Sequence, residues 1–381
     1  MLINLLFIIF ISLIYDVPAL AASANNLTSF YQGSLSTIDF DTVEWDKAIS
    51  VRNDAEFISY VNTCLYYGIT TICVNAIDNY QPIDVNRFCS IFSLPYCERE
   101  YKAKGSVTSF MYKFIEYPGT RVARAYLRND KRGLTDRELK LYDVAVYFIN
   151  NTLNRNNPAL LQELQIHDFI CNSTSFFDYP TTNRFDEFKS AIGVFLNGEA
   201  NCQGYADAFF MLCRMAGFDV NKISGVASGV DHVWNLIKLS NNWYMVDVTS
   251  DDSMFSPNIS YAYFNMSKSQ IIGNHSWQEG NLLYPVKDNP DGNYLFYSAY
   301  AYALNLYYVT DANAFYSSVA YMMATVKKPV QFMASNFPIA SPNDTARNVG
   351  TILLSKYGIT PHVSTIVDII GKNTFLYIKN N

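Results

Sequence analysis

A chain of 381 residues, half of them apolar and only 16% charged, is long enough for two or three domains and too apolar to be disordered. Its formal net charge of −6 argues against a general nucleic-acid binder. The 29 tyrosines and 26 phenylalanines predict aromatic-rich cores, with an exposed sugar- or protein-binding surface as the alternative.

Leu2 to Tyr15 is an apolar run of signal-peptide length, too short to span a bilayer comfortably. Ala19-Leu20-Ala21 and Ala22-Ser23-Ala24 are small-x-small cleavage sites, although no Lys or Arg precedes Lys47. The reading is a cleaved signal over residues 1–24 and a secreted or cell-surface protein, with no stable membrane insertion after cleavage. An uncleaved anchor is the alternative. Secretion bears on the seven cysteines, because an odd count leaves one thiol over. Cys64, Cys73, Cys89 and Cys97 form two disulfides or stay buried thiols. Cys171 has no obvious partner. No Cys/His spacing spells a metal site, and no cofactor is expected.

Residues 25–134 read as an N-terminal α+β module. Ala48 to Val51 is a strand, and Asn53 or Asp54 caps a helix carrying Phe57, Val61, Cys64 and Leu65. Ile69 to Ile77 is a second strand, and Phe110–Phe114 with Arg121–Leu127 suggests a hairpin. Residues 291–381 read as a C-terminal α+β module with a similar beginning. An offset of 258 brings Val51 onto Val309, Asn53 onto Asp311, Phe57 onto Phe315 and Val61 onto Val319. That spacing is an internal repeat or a chance match of a common strand–cap–helix–strand pattern.

Between the modules, residues 135–290 read as a central domain. Thr135-Asp136-Arg137-Glu138 is a capping box opening a helix through Phe148. Pro158 starts the next, with Leu160, Leu164, His167 and Cys171 near one face, and His167 reads as a packed core histidine. Thr182 or Asn183 caps a helix from Arg184 to Leu196. Tyr205, Ala206, Phe209, Leu212, Cys213 and Ala216 then recur at helical spacing, and Gly217 sits where a C′ glycine stops a helix. Cys202 therefore heads this helix, where unsatisfied N–H groups and the positive dipole end favour a thiolate. Asn201 and Gln203 flank it as weak candidates for an oxyanion donor.

His232 to Leu239 and Trp243 to Thr249 read as a β-hairpin about Ser240-Asn241-Asn242. With the loop at Ser240-Asn241, position i faces position 481 − i. His232 and Asp247 are then same-face diagonal neighbours, within reach of a hydrogen bond. Trp234 and Trp243 are candidate walls of a substrate cleft, with strand-face packing the better reading for at least one. Past the hairpin, His275 and Trp277 line that cleft or simply pack. Among the four histidines only His232 stands in a motif. A cysteine at a helix start, a histidine on a strand and an orienting carboxylate are the parts of nucleophilic acyl transfer.

Three blocks here resemble the transglutaminase-like superfamily. They are Gly198…Cys202-Gln203-Gly204-Tyr205-Ala206, His232-Val233-Trp234-Asn235, and Trp243-Tyr244-Met245-Val246-Asp247-Val248-Thr249-Ser250-Asp251. Order and spacing match, over about a third of the chain; Ser250 stands where the family pattern usually has an aromatic. The resemblance implies an α+β, papain-like transglutaminase core flanked by smaller α+β modules, with Cys202, His232 and Asp247 as the catalytic triad. It implies a cysteine peptidase, amidase or acyltransferase acting on protein or cell-wall peptide substrates. A fold that has lost activity and serves as an adhesion or binding module is the alternative.

Overall fold

The computed structural model describes residues 48–104, 107–177, 187–254, 258–282, 288, 292–326, 329–335, 342–360, 363–370 and 373–380. The signal segment and His362 lie outside the described residues. Among the described residues no helix is long and apolar enough to cross a membrane.

Strand β1 (Ile49–Val51) gives way to helix α1 (Asp54–Tyr67) at Asn53, whose side chain accepts from the Glu56 N–H at 2.9 Å. Helix α1 buries Phe57, Val61 and Cys64 and stops at Gly68, which is left-handed at φ 73°. Next come β2 (Thr71–Ala76), α2 (Val85–Phe92, capped by Asp84), β3 (Tyr96–Lys104) and β4 (Val107–Ile115). The sheet order is β1-β2-β4-β3, with β1 and β2 parallel. Phe57, Phe88 and Tyr112 pack together at its centre, and Phe88 stacks on Tyr112 at 4.8 Å. The described residues up to Glu116 make one compact unit, and those from Tyr117 onward make a second.

The expected hairpin is half right. Phe110–Phe114 lies in β4, but its partner is β3. Arg121–Leu127 is helical, inside α3 (Pro118–Arg128). Pro118 stands at a helix start, where its missing N–H costs nothing. Asn129 closes the helix in the left-handed region, and Val122, Ala123 and Ala125 bury one face.

The second unit continues with α4 (Asp136–Tyr147), whose capping box has both reciprocal bonds in place. Helix α5 (Ala159–Cys171) starts after Pro158. Of the helix expected from Arg184 to Leu196, the caps Thr182 and Asn183 and residues 184–186 lie outside the described residues; the described part is broken at Ser190, into the turn Glu187–Lys189 and a helical stretch that ends in Gly193–Asn197. The Ala191 N–H donates to the Asp207 carboxylate at 3.1 Å rather than to a helical carbonyl, and that bond holds the chain between the turns. Short strands β5 (Ser175–Phe176) and β6 (Glu199–Ala200) pair parallel. Helix α6 (Cys202–Ala216) follows, packed on the antiparallel sheet built from β7 (Val220–Ala227), β8 (Val230–Leu239), β9 (Asn242–Val246) and β10 (His275–Ser276). Sheet order is β10-β7-β8-β9. The buried face of α6 includes Tyr205, Phe209, Leu212 and Cys213, and Asn235 of β8 donates to its Ala206 carbonyl at 3.0 Å. This is an α+β, papain-like core.

After the core come β11 (Leu306–Val309), α8 (Ala312–Thr325), β12 (Val330–Ser335), α9 (Pro342–Tyr357), β13 (Val363–Ile370) and β14 (Asn373–Asn380). Their sheet order, β11-β12-β14-β13, repeats that of β1-β2-β4-β3, with the first pair again parallel. Register repeats too: Val51 faces Ala76, and Val309 faces Ala334, each residue shifted by 258. Phe57 and Phe315, like Val61 and Val319, are fully buried. The 258-residue offset is thus a repeat of structure.

Candidate active site

Asn201 caps helix α6: its Oδ1 accepts from the N–H groups of Gln203 and Gly204 at 3.1 and 3.3 Å. The cap satisfies the second and third N–H groups of the first turn and leaves that of Cys202. Gly204 is required by close approach, since a Cβ there would sit 2.6 Å from the Phe188 carbonyl oxygen. The Cys202 thiol is half-buried, and none of the seven cysteines is joined in a disulfide. Cys202 and Gln203 line a cleft of about 260 Å³ with Ser224, Gly225, Asp231 and His232.

The hairpin takes the 481 − i register: Asn235 faces Val246, and Leu239 faces Asn242. The ladder ends at Val246, one residue before the carboxylate, so Thr249 does not face His232. It lies instead in helix α7 (Val248–Met254). Asp247 caps that helix, its Oδ1 accepting from the Ser250 N–H at 3.1 Å. His232 still reaches it, with Nε2 2.8 Å from Asp247 Oδ2. The same oxygen accepts from Ser250 Oγ at 2.5 Å and faces His275 Nε2 at 3.1 Å.

Electrostatics follow from this crowding. Burial alone would lower the pKa of His232, but the Asp247 charge and hydrogen bonds to Asp247 and Cys202 push it up to about 10. For Asp247 burial works upward, yet His232 and His275 hold the carboxyl well below the usual range. The helix N-terminus that Asp247 caps also favours its ionised form. The cluster therefore favours a cationic His232 beside Cys202.

Residues 148–248 match the model of the transglutaminase-like superfamily. This stretch is a transglutaminase-like domain. Kyphoscoliosis peptidase of Homo sapiens is 33% identical over 63 residues, 13% of this chain and 10% of the relative, and the Mus musculus protein gives the same figures. The chain thus spans about a tenth of these curated relatives. Among solved structures, one titled as a TGase covers 55% of this chain and 60% of its own at 12% identity and a TM-score of 0.28. The periplasmic domain of TgpA from Pseudomonas aeruginosa covers 40% of this chain and 62% of its own, at 11% identity and a TM-score of 0.24.

Two sequence candidates fall away from the cleft of the transglutaminase-like domain. Trp234 is 1% exposed and lies behind the cleft, stacked on His232 at 6.1 Å and edge-on to His275 at 4.9 Å. A side chain with that little exposure cannot wall a cleft. Trp243 sits near the turn end of the hairpin, opposite Lys238, and packs on the core. Asn201 turns its Oδ1 to the helix cap and is not part of the cleft lining, while Gln203 does line the cleft. The residue missed as a partner of Asp247 is His275, which the sequence left open between cleft and packing. Among the described residues His232, Asp247 and His275 are the one group whose ligand-type atoms lie within 4.8 Å of one another. Both Nε2 atoms address a single carboxylate oxygen, so this is a hydrogen-bonded cluster rather than lone pairs facing a common point.

His167 is fully buried, as expected, but in a polar setting: Nδ1 faces Asp168 at 3.0 Å and Nε2 faces Asp251 at 3.2 Å. Burial opposes its charge, and the two carboxylates outweigh burial and push its pKa up to about 9. A raised histidine contributes stability that is full below its unfolded value of about 6.5 and lost as pH rises through its folded value. The stability difference between the parent and His167→Gln should therefore shrink between pH 6.5 and 9. It should shrink by on the order of 3 kcal/mol in urea titrations. A constant difference across that range would count against an imidazolium at His167.

Proposed function

We propose that the chain is a secreted cysteine enzyme that transfers acyl groups from protein or cell-wall peptide amides through Cys202, His232 and Asp247. Cys202 Sγ, its proton held by His232 in an ion pair, attacks the amide carbon, and the Cys202 N–H receives the developing oxyanion. The C–N bond breaks as the His232 imidazolium gives its proton to the leaving amine. Water then cleaves the thioester to a carboxylic acid, or an amine cleaves it to a new amide, with His232 taking the proton back. Asp247 fixes the imidazole tautomer and balances its charge. The reading is carried by one observation: a free thiol at a helix start opens on the same cleft as an imidazole held cationic by a buried carboxylate.

Mass spectrometry of peptide mixtures incubated with the protein, with and without an added primary amine, separates the outcomes. Fragments or deamidated glutamine report hydrolysis, and amine adducts report transamidation. Iodoacetamide should label the Cys202 peptide at neutral pH at least ~10-fold faster than an ordinary exposed thiol. No product and no enhanced labelling would leave the fold as a binding module.

A further inference from the structure

We propose that His275 is a positioning residue: its Nε2–H donates to the Asp247 oxygen that also accepts from His232, and so fixes where that carboxylate stands. The inference rests on the triad reading and goes one residue beyond it.

Asp247 sits where β9 has ended and α7 has just begun, so no ladder bond of its own holds it in the sheet. Its Oδ1 is tied by the Ser250 N–H. Its Oδ2 is the atom that serves His232, and there His275 and Ser250 Oγ are the other two donors. Losing one of them frees the carboxylate to rotate about its side-chain bonds, and a hydrogen bond of 2.8 Å weakens steeply with such drift.

The fold holds the His275 ring firmly. It is 3% exposed. Its Nδ1 stands 2.7 Å from the Asn274 side-chain amide; with that amide oriented to donate, Nδ1 accepts and the ring N–H is on Nε2, facing Asp247. Trp234 meets the ring edge-on at 4.9 Å, and Tyr263 packs at 5.5 Å. The titratable groups facing it are Asp247, His232 and Tyr263. His275 itself opens β10, which pairs with β7 at Ala227 and Val226. Gly225 makes that approach possible, because a Cβ there would lie 2.2 Å from the Ser276 carbonyl oxygen. A two-residue strand adds little as a sheet edge; here it carries the imidazole to the carboxylate.

The test needs no substrate. The rate of iodoacetamide labelling at the Cys202 peptide is followed against pH in the parent, His275→Phe, His275→Gln and Asn274→Ala. If His275 positions Asp247, His275→Phe weakens the Asp247–His232 coupling. Its labelling rate at neutral pH should fall by ~10-fold, equivalent to one pH unit of lost coupling. His275→Gln, whose amide N–H still donates, should stay within about twofold of the parent. Asn274→Ala should lower that rate by less. A His275→Phe profile that superimposes on the parent's overturns the proposal, as does equal loss in His275→Phe and His275→Gln. Should His275→Phe not fold, an unchanged Asn274→Ala profile overturns it. A parent whose Cys202 reacts like an ordinary thiol overturns the triad reading first, and the role of His275 with it. Enhanced labelling that ignores position 275 overturns only the latter.

Discussion

Cys202→Ala should leave no thiol-dependent turnover, and Asp247→Asn should lower kcat/KM by roughly 10³–10⁴ with the thiol still in place. The second variant is the more informative. Asparagine caps helices as well as aspartate, so the bond to the Ser250 N–H and helix α7 should survive. What goes is the charge beside His232, together with one of two oxygens. The imidazolium persists in the parent because Asp247 outweighs burial and holds the pKa near 10. Without that charge burial dominates, so the proton is lost at lower pH. The alkaline limb of activity should fall from near 10 toward or below the ordinary histidine value of about 6.5. A pH series on both variants reads this directly. An Asp247→Asn protein with a parental alkaline limb and less than about tenfold loss would mean that the carboxylate does not govern the imidazole.

Local physics explains which parts of this site could be read beforehand. A cysteine at a change of hydrophobic period, with a glycine stop 15 residues on, is a helix start by propensity alone, and the structure adds only the Asn201 cap. The hairpin register followed from loop length and held through Val246. Its end at Val246 was harder to see, because Val248 and Thr249 are β-branched and read as strand. The capping power of Asp247 decides that junction. His275 was out of reach for another reason. It meets Asp247 across 28 residues, from a two-residue strand with no periodicity of its own. The Arg121–Leu127 error has a similar origin, since the deciding signals, Pro118 and Asn129, lie outside the segment. Trp234 and Trp243 show the opposite limit: strand alternation says that a side chain has a face, but not whether that face is a cleft or a core.

Lys222→Met should cost about 3–5 kcal/mol, because it strands a buried carboxylate in the helix that Cys202 opens. Asp207 lies within α6 and is fully buried; Lys222 on β7 is 3% exposed, with Nζ 3.0 Å from Asp207 Oδ1. The other carboxylate oxygen accepts from the Gly119 N–H at 2.8 Å and the Ala191 N–H at 3.1 Å. One side chain thus ties the start of α3, the chain between the two short turns, and the sheet to the helix that begins at Cys202. Lys222 also reaches Thr120 Oγ1 at 3.2 Å and lies over the Tyr117 and Phe210 rings at 4.1 and 4.8 Å. Methionine keeps most of the volume and the ring contacts but removes the charge. At roughly 2–4 °C per kcal/mol for a unit of this size, thermal unfolding should drop by about 10 °C. Asp207→Asn in the Lys222→Met background should restore much of the loss, since a neutral amide has no charge to compensate and its oxygen still accepts from Gly119 and Ala191. Calorimetry on the two single variants and the double variant measures the coupling between the sites. Additive losses would mean that the pair does not act as one electrostatic unit.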